Sequence, residues 1–268
     1  DTGFLLTMPA YQQGQQIAIK LVSIFHDNLR LGIPTHQALV CLFDPQTGSP
    51  LAFMDGTYIT GLRTAGVAAL SVRLLARKNT PTLAIIGAGV QGQAHLTMLP
   101  RVCPFAEIRI ASRHFAHAEQ LAASDARARA VETAEEAVRG ADVVCLCTDA
   151  SEPVISADWL APGTHVTSVG YSPPGGELDP AAIKQGRLFV ETRLAFAPPP
   201  AGCAELVGLD PRIGTELGEL LLDESLGRQS NDQITVYKAM GHACEDMAAA
   251  SLVYQRARRE GAGNTVTF

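Results

Sequence analysis

The chain has 268 residues, of which 47% are hydrophobic and 18% charged, with a formal net charge of -6. That length suits one large domain or two modest ones, and the balance is that of a globular protein. The acidic balance gives no electrostatic reason to bind nucleic acid or an anionic membrane, and no apolar run approaches the roughly 20 residues that cross a bilayer.

The opening residues, Asp1-Thr2-Gly3-Phe4-Leu5-Leu6, lack the basic segment of a signal peptide, which points to the cytoplasm. No initiator Met stands at the start, as expected of a chain that begins inside a longer protein. The cysteines at 41, 103, 145, 147, 203 and 244 are scattered. Cys145 and Cys147 lie two apart in an apolar run, so on a strand they share a face and pair poorly with each other. No CxxC and no Cys/His cluster of zinc spacing occurs, so reduced thiols and no metal are expected.

In chain order, residues 1–60 read as strands and turns. The runs at 15–22 and 37–43 are rich in apolar and β-branched residues, and the turn residues at 44–50 followed by Leu51-Ala52-Phe53-Met54 predict a hairpin. Between 60 and 77, Leu62, Ala65, Ala69, Val72 and Leu75 recur at helical spacing, with Thr60 as candidate N-cap. From 82 to about 192 apolar runs at 82–87, 107–111, 143–148, 165–170 and 187–191 alternate with helical stretches at 90–99, 114–124 and 133–140. Strands alternating with helices predict right-handed crossovers and a parallel sheet covered on both faces. Residues 195–232 are irregular, with a helix predicted around Leu217, Leu220 and Leu221. Residues 234–260 predict a long amphipathic helix or helix pair, lined by Met240, Ala243, Cys244, Met247, Ala250 and Tyr254.

The segment Leu83-Ala-Ile-Ile-Gly87-Ala-Gly89-Val90-Gln91-Gly92 carries chemistry. A buried strand ends in Gly-x-Gly-x-x-Gly where a helix begins. Gly87 allows the tight turn, Gly89 removes a side chain where a pyrophosphate approaches, and Gly92 lets helix and strand pack closely. The helix N-terminus adds free N–H groups and positive dipole for the phosphates. An acid about 20 residues further on would bind the ribose hydroxyls of NAD. Here Ser112-Arg113-His114 ends the second strand, and Arg113 lies 21 residues past Gly92. Ser112 and Arg113 suit a 2′-phosphate, hence NADPH with NADH possible; the other reading of Arg113 is a solvated loop arginine. Cys147 and Thr148, at the end of the fourth strand, would meet the ribose and nicotinamide edge.

Several segments occur in order: Met8-Pro9-Ala10, Met54-Asp55-Gly56, Arg63-Thr64-Ala65, Gly87-Ala-Gly-Val-Gln91, Ala141-Asp142-Val143-Val144, Glu216-Leu217-Gly218-Glu219, Ile234-Thr235-Val236-Tyr237-Lys238 and Glu245-Asp246. This set resembles the ornithine cyclodeaminase/mu-crystallin family over the whole chain. The segments Thr167–Leu178 and Lys238–Met247 look most like bacterial ketimine reductases.

The resemblance implies a Rossmann-type doubly wound parallel sheet, residues 79–235, inserted in a smaller α+β substrate-binding and dimerisation domain of residues 1–78 plus 236–268. It implies a homodimer and reduction of cyclic ketimine carboxylates, such as Δ1-pyrroline-2-carboxylate to L-proline or Δ1-piperideine-2-carboxylate to L-pipecolate. Lys20, Thr35 and Arg63 would face the substrate, with Lys20 catalytic. His36 and Gly170 would join Gly87, Gly89, Val90, Gln91, Ser112, Arg113, His114, Cys147 and Thr148 around the cofactor.

The residues allow a reading of their own. On a strand Lys20 stands between Ala18 and Val22 on one face, so it needs an anionic partner, a lowered pKa or a substrate; the alternative is an edge-strand lysine reaching water. Arg63 could fork onto a substrate carboxylate or be an ordinary exposed helical arginine, and His36 could be structural.

Two departures stand out. The family's further carboxylate-binding arginine, upstream of the segment resembling Met8-Pro9, has no counterpart, since no arginine precedes Arg30. The aspartate that ornithine cyclodeaminases carry after the glycine matching Gly170 is replaced by Tyr171-Ser172-Pro173-Pro174. The resemblance leaves three other activities open: an ornithine cyclodeaminase, an alanine dehydrogenase, and a non-enzymatic mu-crystallin-like binder of NADPH.

Overall fold

The computed structural model describes residues 3–266, which divide into two compact units: residues 3–63 with 242–266, and residues 64–241.

The small unit is an antiparallel meander of β1 (Phe4–Gln12), β2 (Gln16–Ile24), β3 (His36–Phe43) and β4 (Pro50–Asp55), in that order. The turn of Asp44, Thr47 and Ser49 closes the predicted hairpin, the Asp44 carboxylate accepting from the Gln46 and Thr47 N–H groups. Alternation sends Ala18, Val40 and Leu42 inward, where Ile59, Met247 and Ala250 pack on them. Met247 and Ala250 belong to α7 (Ala243–Glu260).

Helix α1 (Gly56–Leu75) starts four residues before the predicted cap. Asp55 caps it, its Oδ1 accepting from the N–H groups of Thr57 and Tyr58. Thr60 is the fifth residue of the helix and donates its hydroxyl to the Gly56 carbonyl one turn back, so it cannot serve as cap.

The large unit is an eight-stranded parallel sheet. Its strands are β5 (Thr82–Ile86), β6 (Glu107–Ala111), β7 (Ala128–Ala130), β8 (Val143–Leu146), β9 (His165–Ser168), β10 (Arg187–Val190), β11 (Gly214–Glu216) and β12 (Thr235–Lys238). Across the sheet the order is β11-β10-β12-β9-β8-β5-β6-β7. The chain winds outward from β5 in one direction and returns to β8 on its other side, so the winding reverses between β5 and β8.

Successive residues of β5 feed opposite layers. Leu83 and Ile85 join Ile108, Ile110 and Val143 under Ala69 and Val72 of α1, Leu96 of α2 (Val90–Met98) and Leu121 of α3 (Phe115–Ala122). Ala84 and Ile86 join Val144, Val166, Val190 and Val236 under Val138 of α4 (Ala134–Val138) and Ile183 of α5 (Pro180–Gln185). Burial on both faces explains why β5 and β8 read as near-continuous apolar runs. The sheet is therefore the doubly wound Rossmann type, and the other unit of the chain is a smaller α+β one.

The structure corrects two boundaries. Residues 235–238 are not helical: Thr235-Val236-Tyr237 are β-branched and aromatic, and β12 pairs in parallel with both β9 and β10. Contacts accordingly divide the chain at 63/64 and 241/242 rather than at 78/79 and 235/236, because the second half of α1 and all of β12 are built into the large unit. Of the irregular stretch, α6 (Leu217–Leu222) forms where a helix is predicted. Cys145 and Cys147 lie in the same core layer, and none of the six cysteines is in a disulfide. Among the described residues no helix is long and apolar enough to cross a membrane, and no cluster of His, Cys, Asp and Glu could hold a metal ion.

Candidate functional sites in the two units

In the small unit, Lys20 lies on β2, flanked by β1 and β3 rather than at an edge, and is 2% exposed. Its Nζ lies 2.7 Å from Oδ2 of Asp246, itself 1% exposed. Oδ1 of the same carboxylate accepts from Nε of Arg63 at 2.9 Å, and Nη1 of Arg63 reaches Glu245 Oε2 at 2.7 Å. Two cations and two carboxylates thus form a charge-balanced quartet. Neither the edge lysine nor the exposed arginine describes these residues. Burial lowers the pKa of Lys20, the Arg63 charge lowers it further, and the Asp246 carboxylate opposes both. The ammonium is a stronger acid than that of a free lysine.

The local fold explains the grouping. Asp246 and Glu245 stand in the first turn of α7, where the helix dipole favours carboxylates. Asp246 lies one helical turn before Ala250, on the side that packs against the sheet. Thr35 and His36 are not brought to this quartet. In the antiparallel register Lys20 stands opposite Val40 and Ile24 opposite His36, so His36 shares the Lys20 face but lies four residues along β3, about 13 Å away. The Thr35 hydroxyl and His36 Nδ1 are 3.3 Å apart.

In the large unit, the predicted cofactor residues gather at the C-terminal ends of β5, β6, β8 and β9, where ligands of open α/β sheets bind. Gly87 has φ +109°, and a Cβ there would lie 2.4 Å from the Cys147 carbonyl oxygen. A Cβ on Gly92 would lie 2.0 Å from the Gly87 oxygen, which fixes the close approach of α2 to its strand. Gly89 has nothing within 4 Å of such a Cβ. The open space at Gly89, at the start of α2, fits a pyrophosphate. Val90 is exposed in the first turn of α2, and the side-chain oxygen of Gln91 is buried with no hydrogen-bond partner among the described residues.

Ser112 and Arg113 follow β6, and His114 precedes α3 as its N-cap. Arg113 is 72% exposed, and its Nη2 lies 3.3 Å from Oδ1 of Asp149. Cys147 continues β8 through a hydrogen bond from its N–H to the Ile86 carbonyl. The backbone N–H groups of Thr148 and Gly170 both donate to the Glu177 carboxylate, at 2.7 and 2.6 Å.

Residues that sequence reasoning left without a role are Asp246, Glu245, Glu177, Glu205 and Lys238. Lys238 offered a signal of a different kind from that of Lys20, a charge directly after the run Ile234-Thr235-Val236-Tyr237. Asp246 offered a weaker one, a carboxylate beside an apolar helix stripe. The two most deeply buried histidines are structural. His95 bonds the Gln91 carbonyl and His165 lies between Ser71 and Thr235, with pKa values pushed down by burial to about 4 and about 3.

A Rossmann unit with a pyrophosphate-compatible glycine turn, in one chain with a small unit carrying a buried Lys–Asp–Arg–Glu quartet, defines the class of protein. The ornithine cyclodeaminase/mu-crystallin family model matches residues 1–261, and the chain belongs to that family. It is 39% identical over 255 residues to the ketimine reductase mu-crystallin of Mus musculus, covering 94% of this chain and 80% of that one. Among solved structures it is similar to the Thermococcus litoralis Δ1-pyrroline-2-carboxylate reductase in complex with NADH and L-proline, at 31% identity and TM-score 0.91, covering 99% of this chain and 85% of that one. An archaeal alanine dehydrogenase dimer with bound NAD matches at 31% identity and TM-score 0.89, covering 100% and 85%.

Proposed function

We propose that the protein is a nicotinamide-dependent oxidoreductase that reduces cyclic ketimine carboxylates, of which Δ1-pyrroline-2-carboxylate and Δ1-piperideine-2-carboxylate are the nearest candidates. The observation that carries the proposal is the buried Lys20 ammonium of lowered pKa beside the Arg63 guanidinium. Such a substrate presents a basic imine nitrogen next to a carboxylate. Lys20 supplies the proton and positive field for the nitrogen, and Arg63 the charge for the carboxylate. Because Nε and Nη1 of Arg63 are already engaged, it acts as a fixed charge more than as a two-point fork. Thr35, just before β3, and His36, at its start, lie away from the residue opposite Lys20, so they would meet substrate or cofactor only at the end away from the quartet.

Gly87, Gly89, Val90 and Gln91 would hold the pyrophosphate; Ser112, Arg113 and His114 the adenosine side; Cys147, Thr148 and Gly170 the nicotinamide side. A bound dinucleotide supplies the hydride for the imine carbon. Residues 64–241 would thus be the cofactor unit, and residues 1–63 with 242–268 the substrate and dimerisation unit of a cytoplasmic enzyme.

The test is a panel of cyclic imino acids with NADPH, followed by absorbance at saturating cofactor. Turnover of five- or six-membered ketimine carboxylates is expected. Turnover only of pyruvate with ammonia would make it an alanine dehydrogenase, and ammonia release from ornithine without net cofactor use a cyclodeaminase. Tight NADPH binding with no turnover would make it a binding protein. Tyr171, standing where cyclodeaminases have the aspartate, favours the reductase.

Two predictions follow from the same assignments. Arg113 is exposed and its pair with Asp149 is weak, so the guanidinium is available to a 2′-phosphate. NADPH is expected to be preferred over NADH, and Arg113→Asp to reduce or reverse the preference by roughly ten- to hundredfold, the worth of a charge-assisted phosphate contact of about 1.5–3 kcal/mol. Equal KM values for both cofactors in the parent would remove the basis for the assignment.

The outer face of the meander carries Leu5, Tyr11, Leu39 and Phe53, all more than a third exposed, so this sheet is apolar on both sides. A homodimer through residues 1–60 is expected. The dimeric archaeal alanine dehydrogenase neighbour supports this. A monomer by light scattering of the full-length product at micromolar concentration would overturn it.

A further inference from the structure

Behind the predicted nicotinamide side of the large unit lies a buried polar cluster that the assignments above do not use. Glu177 is wholly buried. Its carboxylate accepts four hydrogen bonds, from Thr148 N–H and hydroxyl at 2.7 Å each, Ser168 hydroxyl at 2.9 Å and Gly170 N–H at 2.6 Å. Lys238, also wholly buried, donates to the Ser168 hydroxyl at 3.1 Å and the Gly170 carbonyl at 2.7 Å, and pairs with Glu205 at 2.8 Å. Close by, Glu191 accepts from the Met240 and Gly241 N–H groups at 3.0 and 2.9 Å.

One carboxylate therefore ties the loop after β8 to the loop after β9. The formal charges do not cancel: Glu177, Glu191 and Glu205 face one ammonium. All the charges except Glu177 act on the thiol of Cys203, whose pKa is pushed up to about 12, chiefly by burial. Glu177 and the Glu205 side chain are buried and Glu191 is half-buried, so this excess of negative charge favours a further cation nearby. The nicotinamide ring is neutral when reduced and cationic when oxidised.

We propose that Glu177 is a positioning residue that fixes Thr148 and Gly170 against the nicotinamide half of the cofactor, and that its negative charge, with Glu205 behind it, favours the oxidised ring over the reduced one. The bound reduced cofactor is then a stronger hydride donor than it is in water. This deepens the cofactor assignment and rests on it.

Direct titration of the full chain with NADP+, with NADPH and with 2′-phospho-ADP-ribose, which lacks the nicotinamide, tests the proposal. Glu177→Gln should weaken NADP+ about tenfold relative to NADPH, the effect of one charge at this range, equivalent to about 1.4 kcal/mol. Glu205→Gln keeps an acceptor for Lys238 and should shift the ratio in the same direction by a smaller factor. Binding of 2′-phospho-ADP-ribose should be unchanged. If Glu177→Gln loses that binding too, its loops have collapsed and Glu205→Gln decides alone. Equal weakening of both dinucleotides by Glu205→Gln, or an unchanged ratio in both variants, overturns the proposal while the cofactor assignment stands. A parent that binds neither dinucleotide overturns both.

Discussion

Lys20→Ala is expected to lower kcat on Δ1-pyrroline-2-carboxylate by on the order of 10²–10⁴-fold while leaving NADPH affinity nearly unchanged. Lys20 belongs to the small unit and the glycine motif to the large one, so the substitution does not touch the pyrophosphate turn. The effect is large because the ammonium is buried, where a positioned proton donor and charge act without solvent screening.

The parent should show a pH limb that the variant lacks. Burial and Arg63 lower the pKa of Lys20, so its ammonium is lost at a lower pH than in a free lysine. The rate should therefore fall on the alkaline side through that lowered value. Lys20→Arg should not rescue fully, because guanidinium holds its protons too tightly to donate one. Full activity in Lys20→Arg would mean that Lys20 acts only as a charge. Parental kcat and KM in Lys20→Ala would move the proton donation to water or to another residue such as His36.

Asp246→Asn should be the most destabilising of the variants considered, by about 3–5 kcal/mol, because it leaves two buried cations facing one carboxylate. Set against a typical folding stability of about 5–15 kcal/mol, such a loss is large. Charge balance distinguishes this from a lost hydrogen bond. Lys20→Met combined with Asp246→Asn leaves the Arg63–Glu245 pair matched, so the double variant should be more stable than Asp246→Asn alone. Hydrogen exchange of β2 and α7 reports the effect where it arises. Unchanged protection in Asp246→Asn, or a double variant whose losses simply add, would show that the quartet is not balanced as described.

Much of the architecture could be read from order and period. The runs at 82–87, 107–111, 143–148, 165–170 and 187–191 became β5, β6, β8, β9 and β10, and β5 and β8 stand out most because burial on both faces selects near-continuous apolar sequence. Gly87 and Gly92 were legible because a Cβ at either would run into backbone, and Gly89 because it completes the motif spacing between them. Lys20 was legible as a charge among apolar neighbours.

What required a partner in space was not legible. Residues 234–238 read as part of the helix that follows them, and pairing with β9 and β10 makes them a strand, since so short a run carries no period of its own. The identity of the anion that holds Lys20 was undetermined: Asp246 lies 226 positions away, and no spacing rule links them. Arg63 looked free to fork onto a ligand, yet α7 places Asp246 and Glu245 on two of its nitrogens. Glu177 was one acid among many until folding brought the ends of β8 and β9 to it. By itself the sequence determines which residues must be buried and which glycines must stay bare, because those follow from local sterics and hydrophobicity. Only the tertiary structure decides which buried charges meet, because that depends on the return of distant chain segments and on the cost of leaving any of those charges unmatched.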